Sequence, residues 1–343
     1  MIRSRSLAAA LALLATAGAA HAQASPYHVI SRVRLGGEGG WDYVTADADA
    51  HRLYLSRGSH VMVVSTDNDS VVGDIPGTTG VHGIALAPAL GRGFTSNGRD
   101  SSVTIFDLKT LAVVGSVHGT GRNPDAIAYD SVSGRVFAFN AGGTTATAID
   151  AATGAIAGTV ELGGRPEFAV ADGRGRMFAN LEDKSAIVAF DTRTLRVAGT
   201  YPLAPCEEPS GLAMDRAHRR LFAVCGNKSM AVVDADNGHL VATIPIGDGP
   251  DAAAFDPATG DAFSSNGEGT LTVVHEASPS SFAVVQTLPT QRGARTMALD
   301  LRTHRIYLVT AEFGPPPAPT AERPHPRPSV VPGSFTLLVI GRD

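Results

Sequence analysis

Seven residues recur at intervals of 40 to 44 along the chain, each beginning a short apolar segment, and most of them are charged. They are Asp42, His82, Asp125, Glu167, Ser210, Asp251 and Arg295. Four are acidic, so brought together they would form a net-negative funnel that attracts cations. Carboxylate oxygens are the ligands that hard divalent cations prefer, whereas the histidine is titratable and the arginine binds anions. The pattern predicts an oxygen-rich site for a polar ligand or a divalent cation, with the four carboxylates as candidate metal ligands.

A second set of polar residues follows the next segment of each repeat. Its members are Arg57, Asn97, Asn140, Asn180, Asn227 and Asn266. We expect Asn97, Asn140 and Asn266 to contribute amide groups to the same ligand site. A structural interpretation stays open for both sets, because Pro-Asp and Asn-Gly are also what tight turns require.

The elements that must position these residues are set by a second repeat, a polar or basic residue two positions before an aromatic. Its seven copies, spaced 40 to 44 residues apart, are Arg52/Tyr54, Arg92/Phe94, Arg135/Phe137, Arg176/Phe178, Arg220/Phe222, Asp261/Phe263 and Arg305/Tyr307. Self-similarity at this period indicates a repeat architecture. Each copy alternates apolar and polar residues as a strand does, and no repeat contains a segment of helical period.

One repeat, residues 124–161, shows four strands, which we label A to D. Strand A is 124–130, strand B is 135–140, strand C is 146–150 and strand D is 156–161, with Ser133-Gly134, Gly142-Gly143 and Thr153-Gly154 as turns. Four short antiparallel strands per ~42 residues are typical of a β-propeller blade. The sequence therefore predicts an all-β, seven-bladed propeller. Residues 27–35 precede the first strand A and are expected to supply strand D of the last blade, which closes the ring.

The chain resembles a known family. Trp41-Asp42-Tyr43-Val44, Gly249-Pro250-Asp251-Ala252 and a recurrent apolar-strand, Asp-x-x-Thr-Gly core are similar to the YVTN repeat. Over residues 27–343 the chain resembles YncE-like periplasmic seven-bladed propellers. The resemblance implies the same fold, and a binding or surface role rather than a defined activity.

The N-terminus has the three parts of a secretory signal. Arg3 and Arg5 precede an apolar stretch over 7–20, and Ala20-His21-Ala22 forms an A-x-A site. We expect cleavage after Ala22, a periplasmic or secreted protein, and one domain over 23–343. Removal of the signal changes the formal net charge from −5 to −7, which disfavours a nucleic-acid partner. No later stretch is long and apolar enough to span a bilayer, and we expect a monomer.

Two cysteines, Cys206 and Cys225, are present. In an oxidising compartment two thiols more often pair than stay free, so we expect a disulfide. Both would lie at the mouth of the ring, the end of its central channel where the seven recurring residues are expected. The C-x18-C spacing does not match a thioredoxin-type redox pair.

A proline-rich insertion, residues 314–333, distinguishes the last repeat. Between its glycines lie eight prolines together with Glu322, Arg323, His325 and Arg327. A long insertion on one loop of a repeat protein usually lies on its binding face. The alternative is an extended loop without a role.

Two function hypotheses follow. The first is a non-catalytic protein that recognises a small polar ligand, a cation or an envelope protein at the mouth, since the chain has no H-E-x-x-H, C-x-x-C or G-x-S-x-G motif. The second is a lactonase-like hydrolase, in which His82, Glu167 and Arg295 would act as base, acid and oxyanion or carboxylate partner. That second hypothesis rests on analogy of fold.

Overall fold

A computed structural model describes residues 26–318, 320 and 328–343. The predicted signal peptide, residues 1–22, lies outside this range, as do Glu322, Arg323, His325 and Arg327 of the insertion.

The described residues form antiparallel strands and two short 3-10 turns, Pro88–Leu90 and Glu182–Lys184. Along the chain the strands are β1 (His28–Arg34), β2 (Val44–Asp47), β3 (Arg52–Ser56), β4 (Gly58–Ser65), β5 (Val71–Ala87), β6 (Arg92–Asn97), β7 (Ser102–Asp107), β8 (Val113–His118), β9 (Pro124–Asp130), β10 (Arg135–Asn140), β11 (Thr145–Asp150), β12 (Ile156–Glu161), β13 (Pro166–Ala171), β14 (Arg176–Leu181), β15 (Ala186–Asp191), β16 (Val197–Pro202), β17 (Pro209–Asp215), β18 (Arg220–Cys225), β19 (Ser229–Asp234), β20 (Leu240–Pro245), β21 (Pro250–Asp256), β22 (Asp261–Asn266), β23 (Thr270–Ser278), β24 (Ser281–Pro289), β25 (Thr296–Asp300), β26 (Arg305–Thr310) and β27 (Thr336–Gly341). None of the helical segments in the described part is long and apolar enough to cross a membrane.

The strands make five four-stranded sheets and one seven-stranded sheet. Four of the smaller sheets are consecutive runs, β9–β12, β13–β16, β17–β20 and β21–β24, and the fifth has the order β1-β27-β26-β25. The larger sheet, β2–β8, arises because β5 continues through Gly77 and Gly80, both at positive φ. A seven-bladed arrangement implies two strands there, separated by a loop. Glycine permits the bend that keeps the chain hydrogen-bonded across the junction.

Burial within a sheet follows strand order. In the sheet β9–β12 the two middle strands are buried along most of their length, whereas β12 is mostly exposed. Buried middle strands are apolar on both faces because neighbouring sheets cover both faces. The inner strands contact one another from sheet to sheet: β9 packs against β5 and β13, β17 against β13 and β21, and β25 against β21 and β2.

The repeated arginine at the start of the second strand connects neighbouring sheets. Arg135 donates to the carbonyls of Thr192 and Arg193 at 2.8 Å, beyond the end of β15 in the next sheet. Arg220 similarly donates to the carbonyl of Pro279 at 2.8 Å, between β23 and β24. At these positions the arginine that marks the repeat in the sequence therefore links two neighbouring sheets.

Candidate ligand-binding site

The inner strands begin around a polar cavity of about 300 Å³, which we call the mouth cavity. Asp125, Glu167 and Asp251 are the second residues of β9, β13 and β21 and line this cavity. The residues that line the cavity include six acidic side chains and a single basic one: Asp42, Asp125, Glu167, Glu182, Glu208, Asp251 and Arg295. The structure thus brings together the carboxylates that the sequence placed one per repeat.

The negative charges of Asp125 and Asp251 are only partly offset by basic neighbours. Burial raises the pKa of Asp125 to about 6, opposed by His82 and reinforced by Asp42 and Glu182. Burial also raises the pKa of Asp251 to about 6, although Arg295 lies 3.2 Å from its carboxylate and opposes the shift. Like charges that share a site disfavour ionisation, so neighbouring carboxylates in the cavity add to the effect of burial.

Glu167 shows the largest effect of this crowding. Burial, the charge of Asp125 and a hydrogen bond shared with Glu182 raise the pKa of Glu167 to about 9. Crowding among these acids therefore favours the protonated form of Glu167. Glu182 also lies 2.6 Å from Arg165, but its Oε2 atom makes no hydrogen bond, so this contact is an ion pair without directional bonding.

An aromatic pair adjoins the carboxylates. The rings of Tyr43 and Phe168 stack with centroids 4.6 Å apart, and both residues line the cavity. The Tyr43 hydroxyl is buried, and no described residue forms a hydrogen bond with it. Burial, followed by the charges of Asp125 and Glu167, raises the pKa of Tyr43 well above its usual value. A neutral hydroxyl thus lies among carboxylates with its hydrogen-bonding capacity unused.

His82 forms a tight group with two of the acids. Its Nδ1 atom lies 2.5 Å from Asp42 Oδ2 and 3.7 Å from Asp125 Oδ1. Burial alone would lower the pKa of His82, but the hydrogen bond to Asp42 and the charges of Asp125 and Asp42 outweigh burial and raise it. At the mouth, among the described residues, these three have donor atoms spaced closely enough to share a metal ion. Glu167 and Asp251, predicted as metal ligands, are not in that group.

The asparagines are placed differently from the prediction. Asn97, Asn140 and Asn266 are fully buried, and each side-chain amide donates to hydroxyls of the adjacent third strand, as Asn97 does to Ser102 and Thr104. None of the three lines the mouth cavity. Arg57 is also buried, with its guanidinium 3.6 Å from the Phe335 ring centroid. These polar groups stabilise the sheets from inside.

Two acids that sequence reasoning missed, Glu182 and Glu208, complete the lining. Glu182 belongs to the 3-10 turn after β14, and Glu208 directly precedes β17. The predicted disulfide is confirmed, with the Cα atoms of Cys206 and Cys225 5.7 Å apart. Because Glu208 and Gly226 follow the two cysteines closely and both line the cavity, the disulfide fixes this part of its wall.

The base of the insertion lies beside the site. Phe313 and Val330 form an isolated antiparallel bridge, and Phe313 packs 6.2 Å from Trp41 between ring centroids. Trp41, Asp42 and His82 line a second cavity that adjoins this region. The described ends of the insertion therefore approach the same side of the molecule as the mouth residues.

The three residues of the hydrolase hypothesis are held by different partners. His82 pairs with Asp42, Glu167 with Glu182, and Arg295 with Asp251. Glu167 and Arg295 line the mouth cavity, whereas His82 lines the second cavity. No observation in the described residues favours the base, acid and oxyanion roles for this trio.

Comparisons with known proteins identify the fold. No family model and no curated protein sequence matches the chain. Among solved structures, a chain of hydrazine synthase from Kuenenia stuttgartiensis is similar with a TM-score of 0.69 at 15% identity, over 79% of this chain and 93% of that one. A chain from a mitotic checkpoint complex is similar with a TM-score of 0.75 at 12% identity, over 100% of this chain and 99% of that one. Both are β-propellers, so the chain has a β-propeller fold; at these identities the likeness shows the fold alone.

Proposed function

We propose that the chain is a non-catalytic binding protein whose mouth cavity takes a small organic cation carrying two or more positively charged nitrogens. One observation carries the proposal: six carboxyl side chains and one arginine line a cavity of about 300 Å³. That volume is at the lower end of small-molecule sites. A ligand with several N–H donors would offset the repulsion that raises the pKa values of Asp125, Glu167 and Asp251.

An extended ligand fits the distribution of charge better than a single metal ion. Metal ligands must lie within about 2.0–2.6 Å of the ion, and only Asp42, His82 and Asp125 group closely enough at the mouth. An ion there would not reach Glu167 or Asp251, which lie outside that group. A molecule with separated ammonium groups would reach both regions of the wall.

The aromatic pair and the Tyr43 hydroxyl add two further contacts. The stacked rings of Tyr43 and Phe168 offer a π-face to a cation. The hydroxyl oxygen, which has no partner in the empty cavity, would accept a hydrogen bond from an ammonium group.

We further infer a closed ring of seven blades in a YncE-like exported propeller. The seven-stranded sheet would represent two blades joined through β5, and β1 would complete the last blade through its pairing with β27. The sheet-to-sheet contacts of the inner strands, including β25 with β2, support closure. The disulfide supports an oxidising compartment, which agrees with the signal-like N-terminus.

The test is a thermal melt of the full mature chain at pH 8 and low salt. Three linear aliphatic amines with one, two and three amino groups serve as probes: butylamine, 1,4-diaminobutane and spermidine. We expect the unfolding midpoint to rise in that order, because each added ammonium reaches another carboxylate and a ligand that binds only the folded state stabilises it by mass action. Ca²⁺, Mg²⁺, Mn²⁺, Zn²⁺ and succinate are run in parallel.

The variants Asp125→Asn and Asp251→Asn should reduce the amine-induced shift, whereas Asp248→Asn should not. Asp248 is an exposed acid that pairs with Lys228 at 3.1 Å and does not line the cavity. The proposal fails if no amine shifts the midpoint, or if the shift survives both cavity variants. A shift with Ca²⁺ that Asp42→Asn abolishes would favour the metal interpretation, and a shift with succinate would favour a ligand that bridges Arg295 and His82.

A further inference from the structure

A second group of metal-ligand type lies at the other end of the inner strands, away from the mouth cavity. It consists of Asp215, His218 and Glu276, whose donor atoms all lie within 4.8 Å of one another. Asp215 ends β17, whereas Ser210 near the start of the same strand lines the mouth cavity. The group is therefore separate from the site of the proposed function.

The distances converge on one atom of the histidine. His218 Nδ1 lies 2.8 Å from Asp215 Oδ2 and 2.9 Å from Glu276 Oε1. The carboxylates of Asp215 and Glu276 are almost fully buried, while His218 is half exposed. Two buried acids thus meet at a single ring nitrogen of a half-exposed side chain.

Glu276 has an unused ligand atom. Its Oε2 atom is buried and has no hydrogen-bond partner in the part of the chain that the structure describes, although its other oxygen contacts the histidine. Burial and the charge of Asp215 raise the pKa of Glu276, opposed by His218 and Arg220. A buried carboxylate oxygen without a partner is costly unless a ligand or ion satisfies it.

Glu276 departs from the repeat to reach this position. The strands β11, β15 and β19 end at an aspartate that pairs with the arginine opening the second strand, and the next residues are Ala151, Thr192 and Ala235. In β23 the corresponding pair is Asp261 with His275, and the strand continues through Glu276 to Ser278. This longer strand brings a carboxylate against the neighbouring sheet.

We propose that Asp215, His218 and Glu276 form a zinc-type transition-metal site that joins the sheet β17–β20 to the sheet β21–β24. One imidazole and two carboxylates suit a borderline divalent ion, and a solvent molecule at the open side would complete four-fold coordination. A tetrahedral ion at 2.0–2.2 Å from each ligand holds donor atoms about 3.3 Å apart, a few tenths of an ångström beyond the present spacing. The ion takes the place of the hydrogen at Nδ1, which leaves as a proton.

The chain supplies a matched control. His304 Nδ1 contacts the buried Asp256 at 2.8 Å, and His304 is exposed to a similar degree as His218. In the described residues no third ligand completes a metal group around that pair. His304→Ala therefore removes an equivalent histidine–carboxylate contact without touching the proposed site.

The experiment is a Zn²⁺ titration of the full mature chain, without a polyhistidine tag, by calorimetry at pH 7.5. We expect one equivalent to bind at this site and to raise the unfolding midpoint by a few degrees at saturation. Removing a group that only hydrogen-bonds to a metal ligand costs about 10–100-fold in metal affinity. His218→Ala and Glu276→Gln remove the ligands themselves and should weaken Zn²⁺ binding more than this. His304→Ala and His82→Ala should leave that binding event unchanged.

The proposal is overturned if the wild-type chain binds no Zn²⁺, or if His218→Ala retains full affinity. Loss with His82→Ala instead would assign the ion to the mouth. Should Glu276→Gln fail to fold, His218→Ala decides, because its side chain is half exposed and its midpoint without zinc reports any structural damage.

Discussion

Buried carboxylates are neutralised by neighbouring residues in one region of this molecule and are crowded together in another. Asp261 is fully buried, yet its carboxylate accepts from Tyr27 at 3.0 Å and from Arg342 at 2.9 Å, and His275 lies 2.9 Å away. Arg342 also lies 4.0 Å from the centroid of the Tyr27 ring. In the mouth cavity, by contrast, six acids surround one arginine and a hydroxyl without a partner.

The contrast separates a structural role from a binding role. Asp261 connects β22 with Tyr27, which precedes β1, and with Arg342, which follows β27, and its carboxylate is paired within the protein. The mouth acids are held close to one another by the strand framework and are not neutralised by it. Polar groups without partners at a concave site are expected where a ligand forms their hydrogen bonds or ion pairs. Without that ligand they lower the stability of the folded protein.

The largest effect on stability is expected at Asp261. Asp261→Ala leaves Arg342 and the Tyr27 hydroxyl without their buried acceptor, and should lower the free energy of unfolding by about 3–5 kcal/mol. Chemical denaturation at pH 7 measures it, with the exposed Asp248→Ala as the control. A loss below about 1 kcal/mol, the value of an exposed ion pair, would contradict a structural role for the contacts of Asp261.

The disulfide should have the next largest effect. Replacing both cysteines by alanine should lower the free energy of unfolding by ~3 kcal/mol, because the closed loop no longer restricts the unfolded chain. It should also weaken the spermidine response, since the disulfide holds the wall that carries Glu208 and Gly226. Dithiothreitol should destabilise the wild type and leave the double variant unchanged; an equal response in both would contradict the assignment.

The strands were largely predictable from the sequence, whereas the chemistry of the site was only partly so. The boundaries of β9, β10 and β12 match the prediction because alternation and turn residues are local signals. The same repeat spacing located Asp125, Glu167 and Asp251 at the cavity. It could not reveal Glu182 or Glu208, which lie in turns whose position depends on contacts between sheets.

The asparagines show a second limit. Asn97 and Asn140 occupy the last position of the second strand, where they turn inward to the third strand rather than toward the cavity. A shift of one residue reverses the face of a strand: Asn180, one position earlier in its strand, donates instead to the carbonyls of Ser210 and Gly211 in the next sheet. Residue type alone does not report this direction.

The carboxylates of the mouth cavity destabilise the folded protein by their mutual repulsion, and Glu167→Gln tests this most directly. The pKa of Glu167 is raised to about 9 in the folded protein from about 4.3 in an unfolded chain. The folded state therefore retains a proton that the unfolded state releases, so stability falls as pH rises between these values.

The measurement is the free energy of unfolding of wild type and Glu167→Gln from pH 4 to pH 9, with the exposed Glu161→Gln as the control. We predict equal stability of all three near pH 4, and a variant that gains on the wild type as pH rises, by about 1–3 kcal/mol at pH 8. The control should follow the wild type throughout. A Glu167→Gln protein that is no more stable than the wild type at pH 8 would contradict the account.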